Sequence, residues 1–420
     1  MRAARAGVLP AILLVAAFAP LFLPPTGSAG PEPPSLLATA YNTQRKLVAA
    51  PDGTLYAAIT ANASGVPAAR VYSTRDGSAW SPLPTPPTSG NASDRTSLAI
   101  DSTGRLHLAW TEVTSVDRQV FYARFEGGAW VAKVQLSHSP GYAGFPSLAV
   151  DGGDRVHVAW YATDGVNYQI YYRRLEGSVW TPERALTFTS ADATNPAIAL
   201  GPDGAVHIVW ARTASRALTE IAYLRLDGDV VTDSRAISAP GVASIAPSLA
   251  VNGSGTVHVV WSSSGQIQYR RGPGPWSAIE AVSGGAYIAR NPSLALDAAG
   301  RVHVFWEAGD GGIYAQVRDG AWSAPARISG AGANTQPSAR WAQFDNPLCD
   351  SAGRIDVIWT QEVNGTLRLA YRGIDARATC LVTPRSVDVG AWVVTGAVAV
   401  ATGVLLARLR RRRIGPPQPP

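Results

Sequence analysis

The chain has few of the residues that carry common catalytic and metal chemistry. Its 420 residues include two cysteines and one methionine, and only 16% of them are charged. Two cysteines are too few for a disulfide-dense scaffold or for a zinc site built from cysteine pairs. The sequence also has no glycine-rich phosphate loop and no nucleophile elbow, so it shows no motif of the nucleotide-binding or serine-hydrolase classes.

The net positive charge of the chain comes from its two ends. The formal net charge is +6. Arg2, Arg5 and the five arginines within 408–413 supply seven positive charges, which leaves the rest of the chain close to neutral. A nucleic-acid-binding protein needs a basic patch that neutralises phosphates. We therefore expect no nucleic-acid partner.

Both ends of the chain also carry apolar segments. Residues 1–29 combine a basic start, an apolar stretch and small residues near Ala29, which is typical of a secretory signal peptide. An uncleaved N-terminal anchor is the alternative. Residues 390–407 are apolar and uncharged, and the arginine-rich tail 408–420 follows them. This pattern predicts a transmembrane helix with a cytoplasmic C-terminus, joined by a short linker (381–389) to an outer domain (30–380).

One sequence pattern returns about every fifty residues between these ends. In a clear copy, Pro146–Trp160, the residues Pro-Ser-Leu-Ala-Val-Asp precede a turn and a Val-His-Val strand that ends in tryptophan. The copies end at Trp110, Trp160, Trp210, Trp261, Trp306 and Trp359, with a degenerate one near Ile59. Seven copies of one unit indicate a repeat fold, because a unit of this size cannot bury a core alone.

The third copy predicts how each unit folds. Segments 147–151, 156–161, 169–174 and 180–187 have the β-branched and aromatic content of strands, and turn residues separate them. The 41 glycines and 31 prolines fit a chain of many short strands and turns. Four antiparallel strands in each of seven units predict an all-β fold, a seven-bladed β-propeller of four-stranded antiparallel blades.

The last copy lacks the Gly-x-Trp pattern that opens a fourth strand, so the ring needs a strand from elsewhere. The segment 36–45 aligns with 328–337, which covers the end of an outer strand and the crossover into the next blade. We therefore predict that residues 35–40 complete the seventh sheet as an N-terminal closing strand. Closure of this kind leaves no open sheet edge.

A propeller of this topology has two distinct faces. The crossovers between blades and the loops between second and third strands share one face, which we call the crossover face. The two tight hairpins of each blade share the other, the hairpin face. Cys349 and Cys380 both fall on the hairpin face, which predicts a disulfide between them. Because the transmembrane segment follows about ten residues later, the crossover face is expected to point away from the membrane.

Five histidines occupy the same strand position in five of the copies: His107, His157, His207, His258 and His303. A metal ion needs ligands that converge on one point, whereas equivalent positions of different blades are spread around a ring. We predict that each histidine bonds within its own blade, and we expect no metal and no cofactor. The Asp-x-x-Gly-Arg stretches lack the alternating acids of a calcium loop and are predicted to be hairpin turns.

The residues Ser73-Thr-Arg-Asp-Gly77-Ser-Ala-Trp80 resemble the Asp-box, Ser-x-Asp-x-Gly-x-Thr-Trp, of the sialidase-type (BNR) propellers. Ser73, Gly77 and Trp80 match the pattern, whereas Arg75 and Ala79 depart from it. In that family the Asp-box is a structural turn away from the active site. The resemblance therefore implies a propeller fold and carries no activity by itself.

The same resemblance implies an anion site. Sialidases carry an arginine before Ile-Pro on the first blade, and it binds the substrate carboxylate together with two further arginines. Arg45 matches that arginine, although Ile-Pro is replaced here. Arg95 and Arg290 occupy similar crossover positions in the second and sixth blades. Three arginines around one mouth of the central channel would hold an anionic sugar.

A sialidase-like enzyme also needs a tyrosine nucleophile paired with a carboxylate, and an aspartate as acid and base. Asp94, Tyr142 and Tyr287 lie in suitable crossovers, but the sequence shows no evident Tyr–Glu pair. Further amide and aromatic residues of the crossovers suit a sugar or peptide ligand: Gln44, Phe145, Asn195, Asn291 and Gln336.

These features favour a membrane-anchored extracytoplasmic propeller that binds a glycan or a surface protein at the outward mouth of its channel. It would be a single-pass protein of the cell membrane. A sialidase-like glycoside hydrolase that acts on an anionic sugar is the alternative, and a structural surface-layer role is a third. The fold does not decide among them, because one propeller fold hosts many functions.

Overall fold

The structure, a computed structural model, describes residue 39 and the ranges 45–131, 133–215, 218–297, 299–330, 343–349, 354–363, 366–375 and 385–386. All regular elements in these ranges are β-strands, and each pairs antiparallel with its neighbours. In the same ranges, no helix combines the length and apolar character that a membrane crossing requires.

The first three sheets follow the chain in order. The first contains β1 (Leu47–Ala49), β2 (Leu55–Ala63), β3 (Val66–Thr74) and β4 (Ser81–Pro82). The second contains β5 (Ser93–Ile100), β6 (Leu106–Val113), β7 (Arg118–Glu126), β8 (Ala129–Trp130) and β9 (Val134–Gln135). The third contains β10 (Ala143–Val150), β11 (Val156–Thr163), β12 (Tyr168–Glu176), β13 (Val179–Trp180) and β14 (Arg184–Ala185).

The remaining sheets repeat this order. The fourth contains β15 (Ala193–Leu200), β16 (Val206–Ser215), β17 (Leu218–Asp227) and β18 (Val230–Ala236). The fifth contains β19 (Ser244–Val251), β20 (Val257–Ser263), β21 (Gln266–Gly272) and β22 (Glu280–Ala281). The sixth contains β23 (Ala289–Leu296), β24 (Val302–Ala308), β25 (Ile313–Asp319), β26 (Ala321–Trp322) and β27 (Ala326–Arg327). The last contains β28 (Gln343–Cys349), β29 (Arg354–Val363), β30 (Thr366–Asp375) and β31 (Arg385–Ser386).

The fold is an all-β propeller, as the repeat predicts. Six blades are complete in the described chain, not the seven that the repeat count predicts, and the last sheet is described only in part. That sheet packs on both sides. Its Val357 shares a buried cluster with Phe305 of the sixth blade. Its Ile358 shares another with Leu47 and Trp80 of the first blade.

The outer position of the last sheet differs from the prediction. The described partner of β30 there is β31, in which Arg385 pairs with Tyr371, rather than the predicted N-terminal segment 35–40. Strand β31 lies within the range assigned to the linker 381–389. Thr39 instead contacts the second strand, since its Oγ1 accepts a hydrogen bond from the Thr360 backbone N–H at 2.9 Å.

Buried tryptophans form the core between neighbouring blades. The repeat tryptophans are at most 3% exposed: Trp110, Trp160, Trp210, Trp261, Trp306 and Trp359. Each lies on the apolar face of a second strand, where alternation along the strand directs it into the neighbouring sheet. Trp160, for example, packs in one cluster with Ala99 and Tyr122 of the second blade.

The predicted role of the histidines in their own blades is confirmed. In the third blade the Asp151 carboxylate accepts hydrogen bonds from the backbone N–H of Arg155 at 2.9 Å and from its Nε at 2.6 Å. His157 Nε2 lies 3.3 Å from the same carboxylate, and His157 Nδ1 lies 2.7 Å from the Tyr172 hydroxyl. Burial lowers the pKa of His157 to about 4, so the ring is neutral at physiological pH. The polar side chains of this hairpin therefore bond to one another and have a structural role.

Several predictions concern residues outside the described ranges. These are the signal peptide (1–29), the transmembrane helix (390–407) and the basic tail (408–420), together with Gln44, Gln336 and Cys380. Cys349 ends β28. The disulfide and the membrane anchor therefore stay predictions.

Candidate functional site

The inner strands of the second to sixth blades begin with a bulge at the crossover face. In the third blade the register between β10 and β11 shifts between Gly144 and Ser147. The extra residue at each of five such bulges has a φ between 51° and 56°: Arg95, Phe145, Asn195, Ala246 and Asn291. A bulge turns one side chain out of the regular alternation of a strand. Four of the five residues are among those that the sequence predicts for the site.

A compact ion-pair group lies at the bulge of the second blade. Arg95 Nη1 lies 2.6 Å from each oxygen of the Asp94 carboxylate, and Arg118 Nη1 donates to Asp94 Oδ1 at 3.0 Å. The side chain of Asp94 is only 9% exposed, and that of Arg95 is 15% exposed. Two cations around one buried carboxylate leave the group with net positive charge.

Aromatic rings of the third blade extend this group. The Arg95 guanidinium lies 4.6 Å from the centre of the Phe145 ring, a cation–π contact. The Phe145 ring stacks at 5.1 Å on Tyr161, which in turn stacks at 5.5 Å on Tyr142. Tyr168 packs its edge against Tyr161 at 5.2 Å. We call these residues the Tyr161 cluster: Asp94, Arg95, Arg118, Tyr142, Phe145, Tyr161 and Tyr168.

The Tyr161 cluster combines aromatic rings with polar atoms. Its three tyrosines are half-buried, whereas Phe145 is buried. The Tyr142 hydroxyl is buried and makes no hydrogen bond of good geometry with the described residues. It fits there because residue 144 is glycine, since a Cβ at that position would lie 2.5 Å from it. Burial raises the pKa of Tyr142 to about 12, so the phenol stays protonated.

The three predicted arginines lie at three different positions of the repeat. Arg290 pairs with Glu307 across β23 and β24, which is the position that Asp94 occupies in the second blade. Arg95 is the next residue along, at the bulge. The predicted equivalence of Arg95 and Arg290 is therefore off by one residue. Arg45 lies one position further still. Leu47 occupies the register position of Leu98, and Arg45 precedes Leu47 by two residues, whereas Arg95 precedes Leu98 by three.

Arg45 lies at the central channel, as predicted. The channel encloses a cavity of about 360 Å³. Arg45 is the only charged residue among the described residues that line it. The rest of the lining is Val48, Ala49, Ala99, Ile100, Leu148, Ala149, Val150, Ile198, Ala199, Leu200, Ala250, Val251, Leu294, Ala295 and Leu296. A channel lined by apolar side chains and one arginine is not a ring of three converging cations.

A buried carboxylate in the sixth blade escaped the sequence analysis. Glu307 follows the repeat tryptophan directly and is 5% exposed. Asn291 Nδ2 donates to its Oε2 at 3.2 Å, and Arg290 Nε lies 3.9 Å from its Oε1. Burial raises the pKa of Glu307 to about 7. Period-two alternation could have placed this side chain opposite the tryptophan, but it gives no measure of burial.

The raised pKa of Glu307 predicts that the stability of the folded protein depends on pH. Between pH of about 4.5 and 7 the folded protein binds more protons at Glu307 than the unfolded chain does, so its contribution to the free energy of unfolding falls as pH rises. We expect Glu307→Gln to stabilise the protein at pH 8 by up to about 3 kcal/mol and to have little effect at pH 4.5. Unfolding by urea at both pH values measures this. An equal effect of the substitution at both would contradict the assignment.

The two other crossover residues lie apart from the Tyr161 cluster. Tyr287 is 49% exposed and packs at 6.3 Å on Tyr314 of its own blade. The described hydrogen bonds and ring contacts do not join Tyr287 to Asp94 or Tyr142. Asn195 is half-buried at the bulge of the fourth blade. The structure thus brings together Asp94, Arg95, Tyr142 and Phe145, and it keeps the remaining described candidates in other blades.

The turn that resembles an Asp-box is part of the packing between blades. Gly77 has a φ of 73°, and its N–H donates to Thr74 Oγ1 at 3.0 Å. Trp80 is buried and packs edge-on against Tyr371 at 6.3 Å. A Cβ at position 77 would overlap the Tyr371 ring, at 2.0 Å from its nearest atom. The turn therefore supports the contact between the first blade and the last sheet.

Comparison with known proteins shows the fold. No model of a protein family matches the chain, and no curated protein matches it. An ulvan lyase, a polysaccharide lyase bound to an oligosaccharide, is 10% identical with a TM-score of 0.58, covering 81% of this chain and 94% of the lyase. A puromycin hydrolase mutant is 15% identical with a TM-score of 0.55, covering 83% of this chain and 54% of the hydrolase.

A sialidase is among the similar solved structures as well. NanB from Streptococcus pneumoniae is 12% identical with a TM-score of 0.44, covering 65% of this chain and 67% of the sialidase. At such low identities the likeness concerns the fold and not the activity. Among the described residues, no group of three or more histidine, cysteine, aspartate or glutamate side chains suits a metal ion.

Proposed function

We propose that this protein is a membrane-anchored extracytoplasmic propeller that binds a glycan at its crossover face, through the Tyr161 cluster. The observation that carries the proposal is the stack of Phe145, Tyr161 and Tyr142 beside the Asp94 ion pairs. Sugar rings have apolar faces that pack on aromatic side chains and hydroxyls that bond to carboxylates and guanidiniums. The cluster offers both at one place.

The membrane anchor and the full ring belong to the same proposal. The apolar segment 390–407 and its arginine-rich tail support the anchor. A seventh blade is supported by the four strands β28–β31 and by their packing on the sixth and first blades. In that arrangement the chain leaves the ring on the hairpin face, so the Tyr161 cluster points away from the membrane.

The test is glycan binding by the full-length protein and two variants at one position. A glycan array with neutral, sialylated and sulfated glycans identifies the ligand, and calorimetry with that ligand measures its affinity. We expect Tyr161→Ala to weaken binding about tenfold or more, because it removes the central ring of the stack. Tyr161→Phe keeps the ring and should change affinity by less than about threefold.

Two outcomes would reject the glycan proposal. A folded protein that binds none of the glycans would leave a surface protein as the ligand. Equal affinities of Tyr161→Ala and the unaltered protein would place the site elsewhere on the crossover face. The pair of variants separates loss of the ring from loss of the hydroxyl, because Tyr161→Phe removes only the hydroxyl.

A glycoside hydrolase of the sialidase kind is the second candidate. Glu307 favours it, because a buried carboxyl with a pKa of about 7 can donate a proton at neutral pH. Against it, the described hydrogen bonds pair neither Tyr142 nor Tyr287 with a carboxylate. Turnover of a fluorogenic sialoside, lost in Arg45→Ala and in Glu307→Gln, would establish this activity.

A further inference from the structure

The hairpin of the fifth blade departs from the unit that the second, third and sixth blades share. Those blades place an aspartate at the start of the hairpin, an arginine four residues later and the histidine two residues after that. In the sixth blade Asp297 Oδ2 lies 2.9 Å from His303 Nε2. The fifth blade has Asn252 and Thr256 in the first two positions. His258 Nε2 is buried there and has no partner among the described residues.

The backbone of this hairpin is nevertheless the same. Asn252 N–H donates to the Thr256 carbonyl at 3.0 Å, as Asp101 N–H donates to the Arg105 carbonyl at 3.1 Å. Gly255 N–H donates to the Asn252 carbonyl at 2.9 Å, which matches 3.1 Å for the same bond in the second blade. The backbone bonds at position 252 therefore match those around Asp101, whose second carboxylate oxygen lies 3.1 Å from His107 Nε2 in the second blade.

The residue after Asn252 is glycine, which makes the side-chain amide open to attack by the next backbone nitrogen. Gly253 is exposed, and no described hydrogen bond involves its N–H. The position where a Cβ would lie has no atom within 4 Å, so water reaches this side of the turn. No side chain at position 253 obstructs the approach of its nitrogen to the Asn252 amide carbon.

The oxygen of the same amide is held by three donors. Asn252 Oδ1 accepts hydrogen bonds from Ser254 N–H at 3.1 Å, from Ser254 Oγ at 2.7 Å and from Thr256 N–H at 2.8 Å. Donors fixed around a carbonyl oxygen stabilise the negative charge that develops when a nucleophile adds to its carbon. The turn therefore places three donors on the Asn252 amide oxygen, where negative charge would develop.

We propose that Asn252 is a deamidation site, and that the aspartate it becomes completes the hairpin of the fifth blade. The Gly253 nitrogen loses its proton to solvent and bonds to the Asn252 amide carbon, and ammonia leaves. Water then opens the resulting succinimide to a carboxylate. The net reaction consumes one water and releases ammonium, with no oxidant or reductant. Opening to the normal aspartate keeps the Gly255 bond to the residue-252 carbonyl, whereas isoaspartate would lengthen the backbone inside the turn.

The kinetic test is the rate at which Asn252 becomes aspartate in the full-length protein at pH 8, followed by peptide mass mapping. We expect the folded protein to react about tenfold or more faster than the urea-unfolded chain, because only the folded turn assembles the three donors. Ser254→Ala removes one donor at an exposed position and should slow the folded reaction about tenfold. Gly253→Ala adds a methyl group in open space and should slow it as well. A folded protein that reacts more slowly than the unfolded chain would overturn the proposal.

The second test concerns the product. We expect Asn252→Asp to shift the folding equilibrium toward the folded state about tenfold, the effect of one hydrogen bond to a charged group. Asn252→Ala provides the control, because it removes the side chain without supplying a carboxylate, and it should destabilise the protein. Equal or lower stability of Asn252→Asp relative to the unaltered protein would show that the carboxylate does not serve His258, and would also overturn the proposal.

Discussion

Replacement of Trp160 by alanine is expected to cost about 3–5 kcal/mol of the free energy of unfolding. The side chain is fully buried and stacks at 6.3 Å on Tyr171. It also lies in the cluster that joins the second and third blades, so its loss opens a cavity between two sheets. Urea unfolding, monitored by circular dichroism, measures the change.

Trp160→Phe is the matched control for this prediction. The Trp160 indole N–H has no hydrogen-bond partner among the described residues, so phenylalanine removes volume and no bond. We expect it to cost about 1–2 kcal/mol. Trp110 differs, because its indole N–H donates to Glu112 at 2.8 Å. Trp110→Phe should therefore cost more than Trp160→Phe, and equal costs for Trp160→Ala and Trp160→Phe would contradict the packing argument.

The repeat spacing was sufficient to predict the blades, because it records strand alternation and turns together. Trp160, His157 and Asp151 all have the predicted structural roles. The prediction for the outer strand of the last sheet, by contrast, differs from the structure. The alignment of 36–45 with 328–337 is a similarity of side chains, and it carries no information about which segment pairs with β30. The structure places Arg385–Ser386 there.

The candidate site was predicted only in part, because the sequence does not give the exact register of the inner strands. Crossover residues were recognisable, so Asp94, Arg95, Tyr142 and Phe145 were named. The bulge adds one residue to each inner strand, and its position within a crossover is not evident from the sequence. Arg290 was therefore placed one residue away from its actual register.

Residues contributed by the other strands were missed altogether. Tyr161, Tyr168 and Arg118 lie at the ends of second and third strands, where they look like ordinary strand residues. They join the Tyr161 cluster through contacts with crossover residues: Arg118 with Asp94, Tyr168 with Tyr142, and Tyr161 with Phe145, which lies at a bulge. A search of strand ends next to the crossovers would have found the three residues, without showing that they meet.

The second large effect is expected from a substitution in the Tyr161 cluster. Asp94→Ala should destabilise the protein by about 3 kcal/mol, because it leaves the largely buried Arg95 without its carboxylate. Under the proposed function, the same change should also abolish glycan binding, since Arg95 loses the partner that holds it over Phe145. Urea unfolding and calorimetry on the same samples measure both effects.

The double variant Asp94→Ala, Arg95→Ala separates the ion pair from the packing around it. If the cost of Asp94→Ala comes from an uncompensated arginine, removal of Arg95 as well should restore part of the stability, with a coupling of about 1–3 kcal/mol. Glycan binding should stay lost, because the double variant also lacks the guanidinium over Phe145. If the losses of unfolding free energy from the two substitutions are additive, Asp94 supports the bulge rather than the arginine. The charged half of the proposed glycan site would then be assigned to Arg118 alone.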